Sequence, residues 1–270
     1  MDSLDKVLEL IKELIWPFIL LISIFIFRKP VSTLLSRVMN FSAEVGKFKL
    51  VASMQNHVSE NTFQQIRKKP ELINTKAEER QITALFAEVR GFTTIYEGMT
   101  PNEAVDYIQI FLATMQSLVF KHGGTVDRYN GAAIYAYWGA PIDYPDSAER
   151  ACKAALDMAE AVRGLSKQFE AKGFPRLNPQ YAITTAKVLV GDLGTGTIAN
   201  YSVFGDYEGI LQHLSSLNIN YQTNIVLTEY THDIVGNKFS FKTLSEKIRV
   251  KGKDREISIY ELVGPKTTVI

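Results

Sequence analysis

The longest uncharged apolar run in the chain lies near its start, from Leu14 to Phe27. As a helix rising about 1.5 Å per residue it covers roughly 21 Å, short of a hydrocarbon core of about 30 Å. Extending it back to Leu8 supplies the missing length and admits Glu9, Lys12 and Glu13. Those charges then belong at the headgroups, with Lys12 snorkelling and Trp16 at the interface. The pattern predicts a membrane anchor within residues 1–30, with a hydrophobic helix buried against the domain or a partner as the alternative. Asp2 and Asp5 stand where a cleaved signal peptide has its basic head, and Arg28, Lys29 and Arg37 follow the run. Positive charge on that flank predicts a single-pass protein of a bacterial-type inner membrane, with everything after Phe27 in the cytoplasm.

Residues 31–79 read as a juxtamembrane segment and linker. Phe41 to Val51 has a short amphipathic character. From Asn56 to Glu79 polar residues dominate (Gln64, Gln65, Arg67, Lys68, Lys69, Pro70) without a sustained apolar period, which predicts a spacer.

From Arg80 to the end, strand-like and helix-like patterns alternate and predict one domain, residues 80–270. Ile82 to Val89 is strand-like. Thr100-Pro101-Asn102-Glu103 has the hydroxyl cap, first-turn proline and acidic third position of a helix start. Ala104, Ile108, Phe111, Met115 and Leu118 continue it at helical spacing. Thr125 to Tyr129 and Ala132 to Trp138 flank Asn130-Gly131, a pair favoured in two-residue hairpin turns. A second helix is expected from Asp146, with Ala151, Ala155, Met158, Val162, Leu165 and Phe169 on its core face. Strands near Tyr181 to Val190, Phe239 to Val250 and Glu256 to Val263, with a helix from about Tyr207 to Leu217, complete a mixed sheet covered by helices.

Composition narrows the function classes. The chain has 270 residues, 46% hydrophobic and 22% charged, a balance that excludes a disordered or disulfide-stapled chain and fits one or two domains. A formal charge of +1 offers no field to hold a nucleic acid, so none is expected as a partner. Cys152 is the lone cysteine, which excludes an internal disulfide and a cysteine-rich metal cage. His57, His122, His213 and His232 share no short spacing, so no zinc site is expected. Gly191, Gly194 and Gly196 read as turns, because no helix start follows them as a dinucleotide fingerprint requires.

Five segments in order carry a family resemblance. They are Leu85-Phe86-Ala87-Glu88-Val89-Arg90-Gly91-Phe92-Thr93, His122-Gly123-Gly124-Thr125-Val126-Asp127-Arg128-Tyr129, Trp138-Gly139-Ala140-Pro141, Tyr201-Ser202-Val203-Phe204-Gly205-Asp206 and Val250-Lys251-Gly252-Lys253. Together they resemble the class III nucleotide cyclase catalytic domain over about Arg80 to Val263. The resemblance implies an α+β, ferredoxin-like fold that forms a head-to-tail homodimer or higher oligomer, with nucleotide sites between protomers. In that family one protomer supplies two aspartates for two metal ions. The other supplies base-reading residues and an Asn and Arg that stabilise the transition state.

This sequence departs from the pattern. Glu88 stands at the first metal position, a carboxylate one methylene longer, and Ala132 at the second, where it can ligate nothing. Gly209 and His213 stand at the Asn and Arg positions, and neither provides the permanently charged fork of a guanidinium. The resemblance therefore implies a domain with little or no turnover, needing no cofactor for sensing and magnesium only for residual cyclase activity.

Arg128 and Ser202 stand at the base-reading positions, and Arg90, Lys187, Lys251 and Lys253, with the amides of Gly91 and Phe92, are candidate phosphate contacts. For each, an ordinary structural role is the alternative: Glu88 a solvated strand-end acid, His213 a plain helix residue, Arg128 a surface charge pair, the lysines solvated. The expected function is a membrane-anchored cyclic-nucleotide sensor or effector. Its architecture is similar to membrane effectors of bacterial pyrimidine-cyclase antiphage systems. A residual adenylate or guanylate cyclase and a scaffold or regulatory pseudoenzyme are the alternatives.

Overall fold

The computed structural model describes residues 44–74, 76–195, 199–249 and 256–266, with Lys29, Arg37, Val38 and Phe41 besides, and divides the chain into two units, residues 1–48 and 49–270. The expected anchor, apart from Lys29, lies outside the described residues. Among those described, no helix is long and apolar enough to cross a membrane. In the first unit residues 44–48 are helical, with Val45 and Phe48 exposed.

The second unit is built on a sheet whose strand order is β2-β3-β1-β4-β6-β8-β7, with β5 paired to β4 outside that path. The central strands are the longest, β1 (Glu78–Val89) and β4 (Pro179–Asp192), antiparallel along their whole length from Glu78 opposite Val190 to Val89 opposite Pro179. β2 (Thr125–Asn130) and β3 (Ala133–Trp138) form a hairpin on one flank. β5 (Tyr201–Phe204) folds back on the end of β4. β6 (Ile225–Thr228) runs parallel to β4, and β8 (Glu256–Pro265) and β7 (Phe239–Arg249) close the other flank. This is the mixed sheet that the sequence predicts.

Helices cover both faces. Leu85, Ala87 and Val89 of β1 point to a core shared with α3 (Pro101–Lys121) and α4 (Ser147–Ala171), where Phe111, Met115, Ala151 and Met158 are fully buried. α3 starts with the anticipated capping box, the Thr100 side chain accepting from Glu103 N–H while the Glu103 carboxylate accepts from Thr100 N–H at 2.8 Å. Asp146 is the N-cap residue of α4, although its side chain accepts no capping hydrogen bond.

The opposite face carries Ile82, Ala84 and Phe86 of β1 under α5 (Tyr207–Tyr221), whose Tyr207, Ile210, Leu211 and Leu214 are buried there. The same cluster includes Leu50, Met54, Val58, Ile66 and Ile73, which corrects the reading of Asn56 to Glu79 as a spacer. That stretch holds a short helix, α1 (Glu60–Lys68), capped by Ser59, followed by a turn at Pro70–Leu72. Its apolar residues are few but all point one way, which a search for sustained periodicity misses. The His57 carbonyl accepts Val126 N–H at 2.7 Å and His57 Nδ1 donates to Val126 O at 2.7 Å, fixing the segment to β2. The compact unit therefore begins near residue 49, ahead of the expected start at residue 80.

The β2–β3 hairpin also differs from expectation by one residue. Asn130 pairs with Ala133, so the two-residue loop is Gly131-Ala132, with Gly131 at φ +58° in its first position. A glycine there supplies the left-handed conformation that this kind of turn requires. Two short helices, α2 (Phe92–Glu97) after β1 and α6 (Glu229–Val235) after β6, complete the fold.

Candidate nucleotide site

Glu88 lies near the C-terminal end of β1, on the face beneath α5 and opposite both Ala133 and Gln180. It is half-buried, and its Oε1 accepts a hydrogen bond from Ser215 Oγ of α5 at 2.5 Å. Ala132, in the hairpin loop beside it, is nearly buried and accepts Val89 N–H through its carbonyl at 3.1 Å. The two positions that the family resemblance assigns to metal ligands thus lie close together at the strand ends, and of their two side chains only that of Glu88 carries oxygen. Two cations do not fit this donor set. Among the described residues no cluster of three or more His, Cys, Asp and Glu side chains is arranged to hold a metal.

Arg128 follows a bulge in β2 and turns its guanidinium over the Tyr135 ring, 4.3 Å from the centroid. It is ion-paired to Asp127 and to Glu208 of α5. Burial alone would lower the arginine pKa, but the hydrogen bond and charge of Glu208, with the charge of Asp127, raise it above its ordinary value. Asp127, its side chain 8% exposed, is pushed up by burial against the opposing pull of Arg128. Tyr207 donates a long 3.5 Å hydrogen bond to the same carboxylate, and burial raises its phenol as well. Gln212 Nε2 donates to the Tyr135 hydroxyl at 2.7 Å.

These contacts bring out residues that sequence reasoning missed. Glu208, Gln212 and Ser215 are spaced four and three apart, one stripe of α5, and each reaches a different group of the sheet: Arg128, Tyr135 and Glu88. The signal was in the helical spacing of three polar residues beside the buried row of Tyr207, Leu211 and Leu214. Gly209 and His213 lie on the same helix. A Cβ at Gly209 would meet only Asp206 Oδ1, at 3.6 Å, an ordinary contact distance. His213 is half-buried, and no side-chain partner to it is present among the described residues.

The remaining candidates are not gathered around one point within the protomer. Arg90 is exposed and its N–H donates to Asn178 O at 3.0 Å. Gly91, at φ +67°, is the N-cap residue of α2, and the Phe92 side chain packs against the α3–α4 core. Lys187 is opposite Gln81, seven residues along β4 from the Gln180 that faces Glu88. At strand rise that is roughly 23 Å. Lys187 pairs instead with Glu79 at 3.3 Å, both largely exposed. A single phosphate cannot meet Arg90 and Lys187 of one protomer. Ser202 is half-buried on β5 opposite Gly191, with no hydrogen bond to Arg128. Lys251 and Lys253 lie outside the described residues.

Comparison with known proteins agrees with this architecture. The family described as adenylate and guanylate cyclase catalytic domain matches residues 74–264. The chain is similar to adenylate cyclase of Anabaena cylindrica, 31% identical over 195 residues, 69% of this chain and 37% of that protein. It is also similar to adenylate cyclase 1 of Rhizobium meliloti (strain 1021), 28% identical over 68% of this chain and 28% of that protein. The chain thus spans only about a third of the length of these relatives. Among solved structures, the guanylyl cyclase Cya2 superposes with a TM-score of 0.63 at 28% identity, over 70% of this chain and 95% of that one. The adenylyl cyclase CyaB from P. aeruginosa gives a TM-score of 0.63 at 24% identity, over 71% of this chain and 97% of that one, a likeness of fold. By its sheet, its ordered motifs and the span of that match, the chain belongs to the family of adenylate and guanylate cyclase catalytic domains.

Proposed function

We propose that this domain binds a cyclic nucleotide without catalysing the formation of one, acting as the sensing part of a membrane-anchored protein. The observation that carries the reading is a contrast between two sets of positions. The positions for metal and transition-state chemistry hold Ala132, Gly209 and His213, whereas Arg128 keeps a defined pose between Tyr135, Asp127 and Glu208. Losing one preorganised stabilising group typically costs about 100- to 1,000-fold in rate. A cyclic monophosphate carries no triphosphate and asks for no metal pair, so the missing groups do not weigh against its binding. Arg128 offers donors to the edge of a base once a ligand competes with its carboxylate partners.

Dimerisation is part of the proposal. Leu189 and Phe204 are cross-strand partners on the β4–β5 hairpin and are 44% and 67% exposed, an apolar pair suited to burial against a second protomer. The run from Leu14 to Phe27 would supply the anchor. A ligand acts on such an assembly only through its different affinity for two packings of the protomers.

A second reading, a slow cyclase, is favoured by one observation: Glu88 keeps a carboxylate at the first metal position, and it could hold a single magnesium ion with the phosphates of ATP. Calorimetric titration of the full chain with 3′,5′-cyclic AMP, GMP, CMP and UMP, and with ATP and magnesium followed by product analysis, separates the two. Tight binding of one cyclic nucleotide with no product is the expected result. Formation of cyclic product, abolished by Glu88→Ala, would replace the sensor with an enzyme.

A further inference from the structure

In the first unit Val38, Phe41 and residues 44–48 are helical. Val38, Phe41, Val45 and Phe48 are all exposed there, Phe41 and Phe48 by 68% and 74%. One exposed apolar side chain is ordinary, but a row of them marks a surface that another chain or a membrane covers. Their separations are three, four and three residues, the alternation of a and d positions in a heptad. In sequence Val31 and Leu34 precede them and Ala52 follows at the same spacing, so the pattern runs through three heptads. A helix lying on a lipid surface is marked by a basic polar side, whereas Glu44 stands here among Lys47 and Lys49.

We infer that the row of Val38, Phe41, Val45 and Phe48 is the seam of a parallel two-stranded coiled coil with a second copy of this chain. Val38 and Val45 take the a positions and Phe41 and Phe48 the d positions. β-Branched residues at a, with none at d, are the choice that favours two parallel strands. The charges agree with that orientation. Glu44 falls at g and Lys49 at the following e, both exposed, and a parallel pair brings these opposite signs together along each side of the seam. The row shares no residue with the Leu189–Phe204 pair, and the inference does not depend on which nucleotide the domain takes.

The test uses the full chain in phosphatidylcholine vesicles, with the single substitutions Val38→Cys, Val45→Cys and Lys47→Cys, oxidised by copper phenanthroline and read on non-reducing gels. The parent supplies the blank, because its one cysteine, Cys152, is buried. Val38→Cys and Val45→Cys should give at least about fivefold more disulfide-linked dimer than Lys47→Cys, which stands at c, away from the seam, since a disulfide needs Cβ atoms that approach closely. Phe41→Glu together with Phe48→Glu should cut the dimer formed by Val45→Cys about tenfold, a charge being costly inside a seam. Both rings are exposed in the protomer, so the domain of that variant should keep the near-ultraviolet circular dichroism of the parent. Equal dimer at all three cysteine positions would mean collision alone. No dimer at Val38→Cys and Val45→Cys would put the row against lipid or another surface. Cross-linking unmoved by the two glutamates would show that the apolar row does not hold the chains together, and each of these results overturns the proposal.

Discussion

Ser215 Oγ donates to Glu88 Oε1 at 2.5 Å, joining the middle of α5 to the end of β1 across 127 residues of sequence. Glu88, which the family resemblance places at a metal position, is therefore a structural partner of the helix as well as a candidate ligand. Ser215 is fully buried, and a hydrogen bond to a charged group contributes about 1.5–3 kcal/mol. Ser215→Ala should lower the unfolding free energy by about 1–2 kcal/mol in a urea titration, the lower part of the range because half-buried Glu88 regains water. An unchanged midpoint would mean that the contact contributes nothing.

Arg128 is shared between two carboxylates, so its availability to a ligand depends on Glu208. Glu208→Gln removes one competing charge and should strengthen cyclic nucleotide binding by a few-fold, whereas Arg128→Ala should weaken it by about tenfold or more. Calorimetry with the nucleotide that binds the parent chain checks both. If neither substitution moves the affinity, Arg128 does not read the base.

Restoring the family's residues should create turnover. Ala132→Asp, Gly209→Asn and His213→Arg together would place a carboxylate, an amide and a guanidinium where the family resemblance puts the metal and transition-state groups. Position 209 accepts a Cβ at ordinary contact distance, and aspartate suits a hairpin loop at 132. Each group typically contributes about 100-fold or more, not additively. A rise in cyclic product from ATP and magnesium of at least about 100-fold is expected in a chromatographic assay. No rise would show that features beyond these three positions keep the site silent.

Asp157 accepts from Lys121 Nζ at 2.7 Å and lies 2.9 Å from His122 Nε2, and these partners hold its carboxyl below the ordinary range. A carboxyl so lowered favours the folded state above the unfolded value of about pH 4, and that benefit is lost as the pH falls through the lower folded value. Asp157→Asn should thus melt below the parent at pH 7, with the gap closing as the pH drops below about 4. A gap that persists in acid would point to packing rather than charge.

Gly124 sits where a Cβ would come within 2.6 Å of Trp138 Cε2 and 2.8 Å of Val119 Cγ1. Trp138 is fully buried and tied to His122 O at 3.0 Å, so it has little freedom to retreat. Overpacking of this kind typically costs about 1–3 kcal/mol. Gly124→Ala should show that loss in thermal or urea unfolding, and a neutral result would mean that α3 and the β2–β3 hairpin yield more easily than their packing implies.

Much of the fold could be read along the chain, because its strongest elements rest on local signals. The Thr100–Glu103 box and the core faces of α3 and α4 are properties of adjacent turns and reappear in the structure with small shifts: the buried row of α3 is Ala104, Tyr107, Phe111, Met115 and Val119, with Ile108 and Leu118, like Leu165 of α4, only partly buried. The turn at Gly131-Ala132 was misplaced by one residue because the choice between neighbouring turns is made by strand register. Val58, Ile66 and Ile73 gave little sustained signal because the one helix among them, Glu60–Lys68, is nine residues long and the other two positions lie outside it. The site was legible as positions but not as contacts. Nothing near Arg128 in sequence announces Glu208, and nothing near Glu88 announces Ser215, since both partners arrive on a helix far along the chain. Lys187 shows the converse, a residue of suitable charge whose strand position removes it from the others.

The clip between His57 and Val126 decides where this protein can be cut. A shortened chain that starts at the first strand would lose Leu50, Met54, Val58, Ile66 and Ile73 from the cluster over Phe86 and Tyr135. The uncovered sheet would be an adhesive surface, and such a fragment would precipitate or pair with itself for reasons unrelated to any ligand. A fragment beginning ahead of residue 49 keeps its own cover and is the one whose association in solution can be interpreted.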